Sequence, residues 1–304
     1  MLNVFLNVIL PTFLVAAAGA GLQRWRNLTP GPLSQMMLYL LAPALVVNSL
    51  INAEIEVGAS ARIIGAVLLI TIVLMAASFA LSRALRQDRA LQSGFLLATV
   101  FPNAANMALP VALLAFGEAG LTVAIIIFAI QSILSWSIGT FLAARSSSGG
   151  LLGPLKQMVR LPILWAIVAA LVLRATGVTL PTTLAEPIRM LGTAAVPVML
   201  LILGFQLSKG IELSRWPSLV TALMLRLIGG ALIAYPITAL LGLEGVAQQT
   251  VITVSAMPTA VFTTILATEF KAEPRFVTSA VIGSTLLSLV TLTGVIFILQ
   301  TWLG

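Results

Sequence analysis

Very few side chains in this sequence can do chemistry, and they gather around two prolines. The stretch TVFPNAANMALP (99–110) places Asn103 and Asn106 just after Pro102, and SAMPTAVFTTILA (255–267) places Thr259 and Phe262 just after Pro258. Proline lacks a backbone donor and clashes with the preceding turn, so each stretch breaks a helix. The half that begins after a break presents N–H groups and the positive end of its dipole. With the Asn103 amide and the Thr259 hydroxyl beside them, two such ends suit an anion, a carboxylate above all. The plainer alternative is a pair of kinks whose Asn and Thr side chains only cap the broken ends. Gln131, Ser132 and Gln206 add polar groups in apolar surroundings. Interhelical hydrogen bonding is their ordinary use, with Gln131 also a candidate to line the site. Arg226, in TALMLRLIGGAL, carries a full charge and needs a partner. It is either a countercharge for an anionic substrate or a structural group bonded to broken-helix carbonyls or reaching an interface.

These residues are embedded in a chain of 304 residues that is 60% hydrophobic and 8% charged, with a mean hydropathy of +1.11. Such a composition calls for a bilayer as solvent. The absence of Cys and His leaves no thiolate or imidazole ligand, so we expect no metal, no cofactor and no enzyme. The formal charge of +7 is spread singly or in small groups between apolar segments, the pattern of membrane topology and not of nucleic-acid binding. The first apolar segment has no basic residues before it and reads as a retained helix, not a cleaved signal peptide. Glu54, Glu56 and Glu118 read as solvated loop residues. No Asp or Glu falls at the centre of a span, so the usual device for proton or sodium coupling is missing. Coupling through backbone carbonyls, or through a proton carried by the substrate, stays open.

A span needs about 20 apolar residues, and polar or Gly/Pro breaks divide the chain into ten segments: 4–22, 32–52, 60–82, 89–116, 120–143, 160–178, 186–207, 216–241, 246–269 and 275–302. The stretch ARSSSGGLLGPLKQMVR reads as a flexible linker, with one five-helix unit at 1–144, the linker at 145–159 and a second unit at 160–304. Alternate loops carry twelve Lys and Arg on one side and only Arg62, Arg174 and Arg189 on the other. The richer side is therefore cytoplasmic and both termini are outside. Five being odd, the second half enters the membrane inverted. Pro11, Pro43 and Pro102 have counterparts Pro162, Pro197 and Pro258 at a nearly constant offset, and Gln92 lies over Gln248. The fold class is thus an all-α integral membrane protein of ten transmembrane helices, as two inverted five-helix repeats with broken crossover helices at segments 4 and 9.

The motifs LPTFLVAAAGAGLQR, YLLAPALVVNSL, FPNAANMALPVALLAFGEAGL, AMPTAVFTTILA and SAVIGSTLLSLVTL resemble the auxin efflux carrier family, which contains plant auxin exporters and bacterial permeases assigned to malate and malonate. The resemblance covers nearly the whole chain. It implies a bacterial inner-membrane carrier of a small organic anion, crossing at Pro102 and Pro258, with Asn103 at the carboxylate site. It further implies a static scaffold of segments 1, 2, 6 and 7, a homodimer through segments 2 and 7, and an elevator of segments 3–5 and 8–10. Two positions depart from the family: Asn106 stands where many relatives have Gly or an aromatic residue, and Phe262 where many have Asn. A cation-coupled carrier of the bile-acid-symporter type and a non-transporting receptor are the alternatives. With no native thiol to interfere, cysteines at Ser147 and near Gly304 test the orientation: an impermeant reagent added outside should label only the C-terminal site, and the reverse pattern overturns it.

Overall fold

The computed structural model describes residues 1–51, 57–145, 162–207 and 215–303. Glu54, Glu56 and all of the expected linker except Arg145 lie outside these residues. Among the described residues the chain is helical, with a single isolated antiparallel bridge. The elements are α1 (Leu2–Arg26), α2 (Gly31–Ile51), α3 (Val57–Ala84), α4 (Arg89–Val100), α5 (Ala108–Ala144), α6 (Pro162–Thr176), α7 (Thr182–Leu207), α8 (Trp216–Leu240), α9 (Gly245–Ser255), α10 (Phe262–Glu269) and α11 (Pro274–Trp302). Seven of them, α1, α2, α3, α5, α7, α8 and α11, are long and apolar enough to cross a membrane. Their outward faces carry exposed Leu14, Tyr39, Ile72, Leu232 and Val290. A helical surface of that kind belongs against lipid, because every backbone group is satisfied within the segment.

Local chemistry explains the irregular points. Wide π-turns at Phe5–Ile9 and Met37–Leu41 lie just before Pro11 and Pro43, where the ring and the missing N–H disturb the regular ladder. Expected segments 4 and 5 part at Gly117, whose φ of 67° and ψ of −160° lie outside the helical range, at a conformation that a residue with a Cβ adopts poorly. The two helical stretches of α5 meet there, and the chain turns so that the second stretch comes back beside the break at Pro102. The carbonyl of Ala115, next to this bend, accepts from Gln300 Nε2 at 3.1 Å.

Two packed groups result. Helices α1, α2, α6 and α7 form one, and α3, α4, α5, α8, α9, α10 and α11 form the other. In the first group small residues set the spacing. A Cβ on Gly204 of α7 would lie 1.8 Å from the Ala16 carbonyl oxygen of α1, and one on Gly19 of α1 would lie 2.5 Å from the Leu201 carbonyl oxygen. Close backbone approach of this kind holds helices together where lipid removes the hydrophobic drive for their association. Replacing Gly204 by Ala should force α1 and α7 apart and destabilise the fold by about 1–3 kcal/mol. Gly294, with open space around its Cα, should tolerate Ala. Equal melting temperatures for the two variants would refute this account of the contact.

Candidate functional site

Helix α4 begins at Asp88, whose carboxylate accepts from Leu91 N at 2.9 Å, and ends after Val100 because Pro102 drives Phe101 into an extended conformation (φ −101°, ψ 111°). Helix α9 ends likewise before Pro258. The two broken backbones meet. Asn103 N donates to Pro258 O at 2.7 Å and Ala260 N donates to Phe101 O at 2.9 Å, which forms the Pro102–Thr259 bridge. Thr259 extends the pairing: its hydroxyl donates to Ala98 O at 2.7 Å and its N–H to Ser284 Oγ at 3.0 Å. Each break thus supplies the donors and acceptors that the other lacks.

The carbonyls at the ends of α4 and α9 are taken by Arg226. This residue is fully buried in a π-turn of α8 (Leu225–Gly229). Its Nη1 donates to Thr99 O at 2.8 Å and to Val100 O at 3.2 Å, and its Nη2 donates to Ser255 O. The helix comes close enough because Gly230 has no side chain: a Cβ there would lie 1.9 Å from the Ser255 carbonyl oxygen. Of the roles that the sequence leaves open for Arg226, the geometry matches carbonyl bonding.

On the other side of the bridge, the chain turns into the second halves. Asn103 Oδ1 accepts from Asn106 N at 3.2 Å, Asn103 O accepts from Ala108 N at 3.1 Å, and α5 starts there. The Asn103 side chain is only 3% exposed, and its Nδ2 has no partner. It lines a cavity of about 250 Å³ between the start of α5, the start of α10 and the wall of α5 beyond Gly117. The polar lining is Asn103, Asn106, Gln131, Ser132 and Ser135, and the aromatic lining is Phe128, Trp136 and Phe262. Trp136 and Phe262 meet with centroids 4.5 Å apart at 51°. Gln131 is held by Nε2 donating to Thr71 Oγ1 at 3.4 Å, while its Oε1 is buried without a partner. No charged side chain lines this cavity.

Of the residues singled out from sequence, Pro102, Asn103, Asn106, Gln131, Ser132 and Phe262 come together in the lining. Pro258 and Thr259 belong to the bridge, and Arg226 to the carbonyl ends away from the lining. Phe128, Ser135, Trp136 and Leu38 were missed. Phe128, Gln131, Ser132 and Ser135 recur at helical spacing on one face of α5, a signal that was available; Leu38, from α2, gives none.

Residues 4–296 match the family described as membrane transport protein. The chain belongs to that family. It is 26% identical over 203 residues to an uncharacterized transporter of Methanocaldococcus jannaschii, an alignment spanning 66% of each chain, just under two thirds. It is 27% identical over 262 residues to an uncharacterized transporter of Methanothermobacter thermautotrophicus, covering 86% of each. The expected family is therefore the observed one, and these relatives are named as transporters.

If Arg226 holds the two half-helices together, Arg226→Gln should lower the melting temperature, with a loss on the order of 3 kcal/mol from unpaired buried carbonyls. Ligand affinity of the surviving folded protein should be unchanged. A variant with normal melting but weakened carboxylate binding would instead make Arg226 a countercharge.

Proposed function

We propose that this protein is a secondary carrier of a small organic anion, specifically a carboxylate with an apolar body. The observation that carries this reading is the buried, unpartnered Asn103 Nδ2 at the cavity between two half-helix N-termini. A buried amide donor left unsatisfied is destabilising, and a carboxylate oxygen satisfies it. The starts of α5 and α10 each add about half a positive charge, while Phe128, Trp136 and Phe262 offer a surface for the apolar remainder of the solute. A lining without a cation favours one negative charge over two, so a monocarboxylate suits it better than a dicarboxylate such as malate or malonate.

Transport on this reading is alternating access of the elevator type. Helices α1, α2, α6 and α7 form the scaffold and the dimer contact, and the group holding the cavity moves against them, with Leu38 of α2 as the wall that the cavity leaves behind. The ten-helix inverted arrangement, with a bacterial inner-membrane location and both termini periplasmic, is part of the same proposal. Polar contacts support it by tying Asp88, Arg215 and Glu273 together at one end, and Arg62 to Gly242 O at the other.

Asn103→Ala should weaken binding of a preferred monocarboxylate about 10- to 100-fold, the loss of a hydrogen bond to a charged group, without changing membrane insertion. The measurement is ligand-induced thermal shift together with uptake into liposomes. Wild-type affinity in the variant, or tighter binding of an organic cation than of any carboxylate, defeats the reading. For the cation-coupled alternative, the relevant observation is that Arg226 already fills the carbonyl ends where a coupling cation would bind. Carboxylate uptake should accordingly be the same in sodium chloride and choline chloride, and a sodium requirement would favour the symporter.

A further inference from the structure

A second cavity, of about 560 Å³, opens where α3 ends and α4 begins. Arg83 from the end of α3, Arg89 from the start of α4 and Arg145 from just past the end of α5 converge on it, joined by Gln87 and Gln92. None of the three arginines pairs with a carboxylate of the described residues. The nearest acid in sequence, Asp88, instead caps α4 and pairs with Arg215 at 3.6 Å, which also reaches Glu273 at 3.9 Å.

Arginines that merely mark a membrane boundary splay into water, since like charges repel. Here the guanidinium groups of Arg83 and Arg145 lie against the ring of Phe79, at 5.0 and 5.5 Å from its centroid. That ring fixes two positive forks at the edge of one cavity. Gln87 supplies an independent pointer. Its Nε2 donates to Ser218 Oγ at 2.9 Å, but its Oε1 is buried without a partner, an acceptor awaiting a donor. Gln92 is turned to Ser82 Oγ at 2.9 Å.

We propose that this cavity binds a phosphodiester flanked by a hydroxyl, the headgroup chemistry of phosphatidylglycerol. The phosphate oxygens accept from the arginine forks, and a glycerol hydroxyl donates to Gln87 Oε1. The cavity lies at the level where the apolar run of α3 ends at Ala84, which is the depth of a lipid phosphate. A soluble glycerol phosphate, although a monoester, shares the phosphate oxygens and the neighbouring hydroxyl, so the experiment separates the two sources.

Purified full-length protein in detergent is melted with added phosphatidylglycerol, phosphatidylcholine, phosphatidylmethanol (the same charge without the hydroxyl) or glycerol 3-phosphate. Phosphatidylglycerol should raise the melting temperature by about 2–4 °C over phosphatidylcholine. The Arg83→Gln, Arg145→Gln double variant should lose this shift, while Arg24→Gln, Arg26→Gln should keep it. Gln87→Leu should erase the preference for phosphatidylglycerol over phosphatidylmethanol. A shift from millimolar glycerol 3-phosphate that saturates the response and leaves phosphatidylglycerol without further effect supports the site with a soluble occupant. Equal shifts from phosphatidylglycerol and phosphatidylcholine, or a phosphatidylglycerol shift that survives the double variant, overturn the proposal. Should the double variant not fold, native mass spectrometry of the wild type decides: retention of phosphatidylglycerol in preference to phosphatidylcholine supports the site, and equal retention refutes it.

Discussion

Non-helical backbone inside a membrane exists only where protein satisfies it, and in this protein two breaks satisfy each other. Phe101 to Asn103 and Pro258 to Ala260 exchange two backbone hydrogen bonds. Neither break is tenable alone, since an unpaired amide in hydrocarbon costs several kcal/mol. The pairing accounts for Gly230, which lets α8 lie against the end of α9, and for Thr259, whose hydroxyl returns to Ala98 on the opposite chain segment. What reads in sequence as two independent kinks is one joint.

That joint has two electrically different sides. Interrupting a helix creates a negative C-terminal end as well as a positive N-terminal one, and two broken helices that meet at their breaks create two of each. Arg226 spans Thr99, Val100 and Ser255, so a full positive charge meets both negative ends at once. The positive ends at α5 and α10 are left facing a cavity whose polar lining is neutral. The guanidinium thus acts on the cavity's field without lining it: neutralising one pair of ends leaves the other pair unopposed. A charge buried in the membrane is tolerable here because backbone carbonyls solvate it.

How much of this was legible depended on whether the signal was local. Pro102 and Pro258 announce their breaks because proline's effect is confined to its own turn, and Asn103 next to one of them stands out for the same reason. The turn at Gly117 was legible for a like reason, since a glycine between two apolar runs marks a backbone conformation that other residues avoid. The bonding partners of Arg226 were not legible. Carbonyl acceptors belong to the backbone and leave no trace in residue identity, so only three-dimensional placement separates a countercharge from a clamp. Leu38 was invisible for the opposite reason: an aliphatic residue in an apolar helix looks the same facing lipid or a cavity.

A carrier, on the proposed reading, has to release what it binds. A guanidinium in direct contact with a carboxylate in a low-dielectric cavity would form a pair whose separation is slow and strongly disfavoured. Amides and helix ends give a weaker, more diffuse attraction. The neutral lining of Asn103, Asn106, Gln131, Ser132 and Ser135 is then a functional choice and not a deficiency. It trades depth of binding for exchange, and specificity falls to shape and to the aromatic contacts of Phe128, Trp136 and Phe262. On that reading, placing the buried charge of Arg226 behind the joint would keep a preference for anions and avoid a pair that would hold the solute in place.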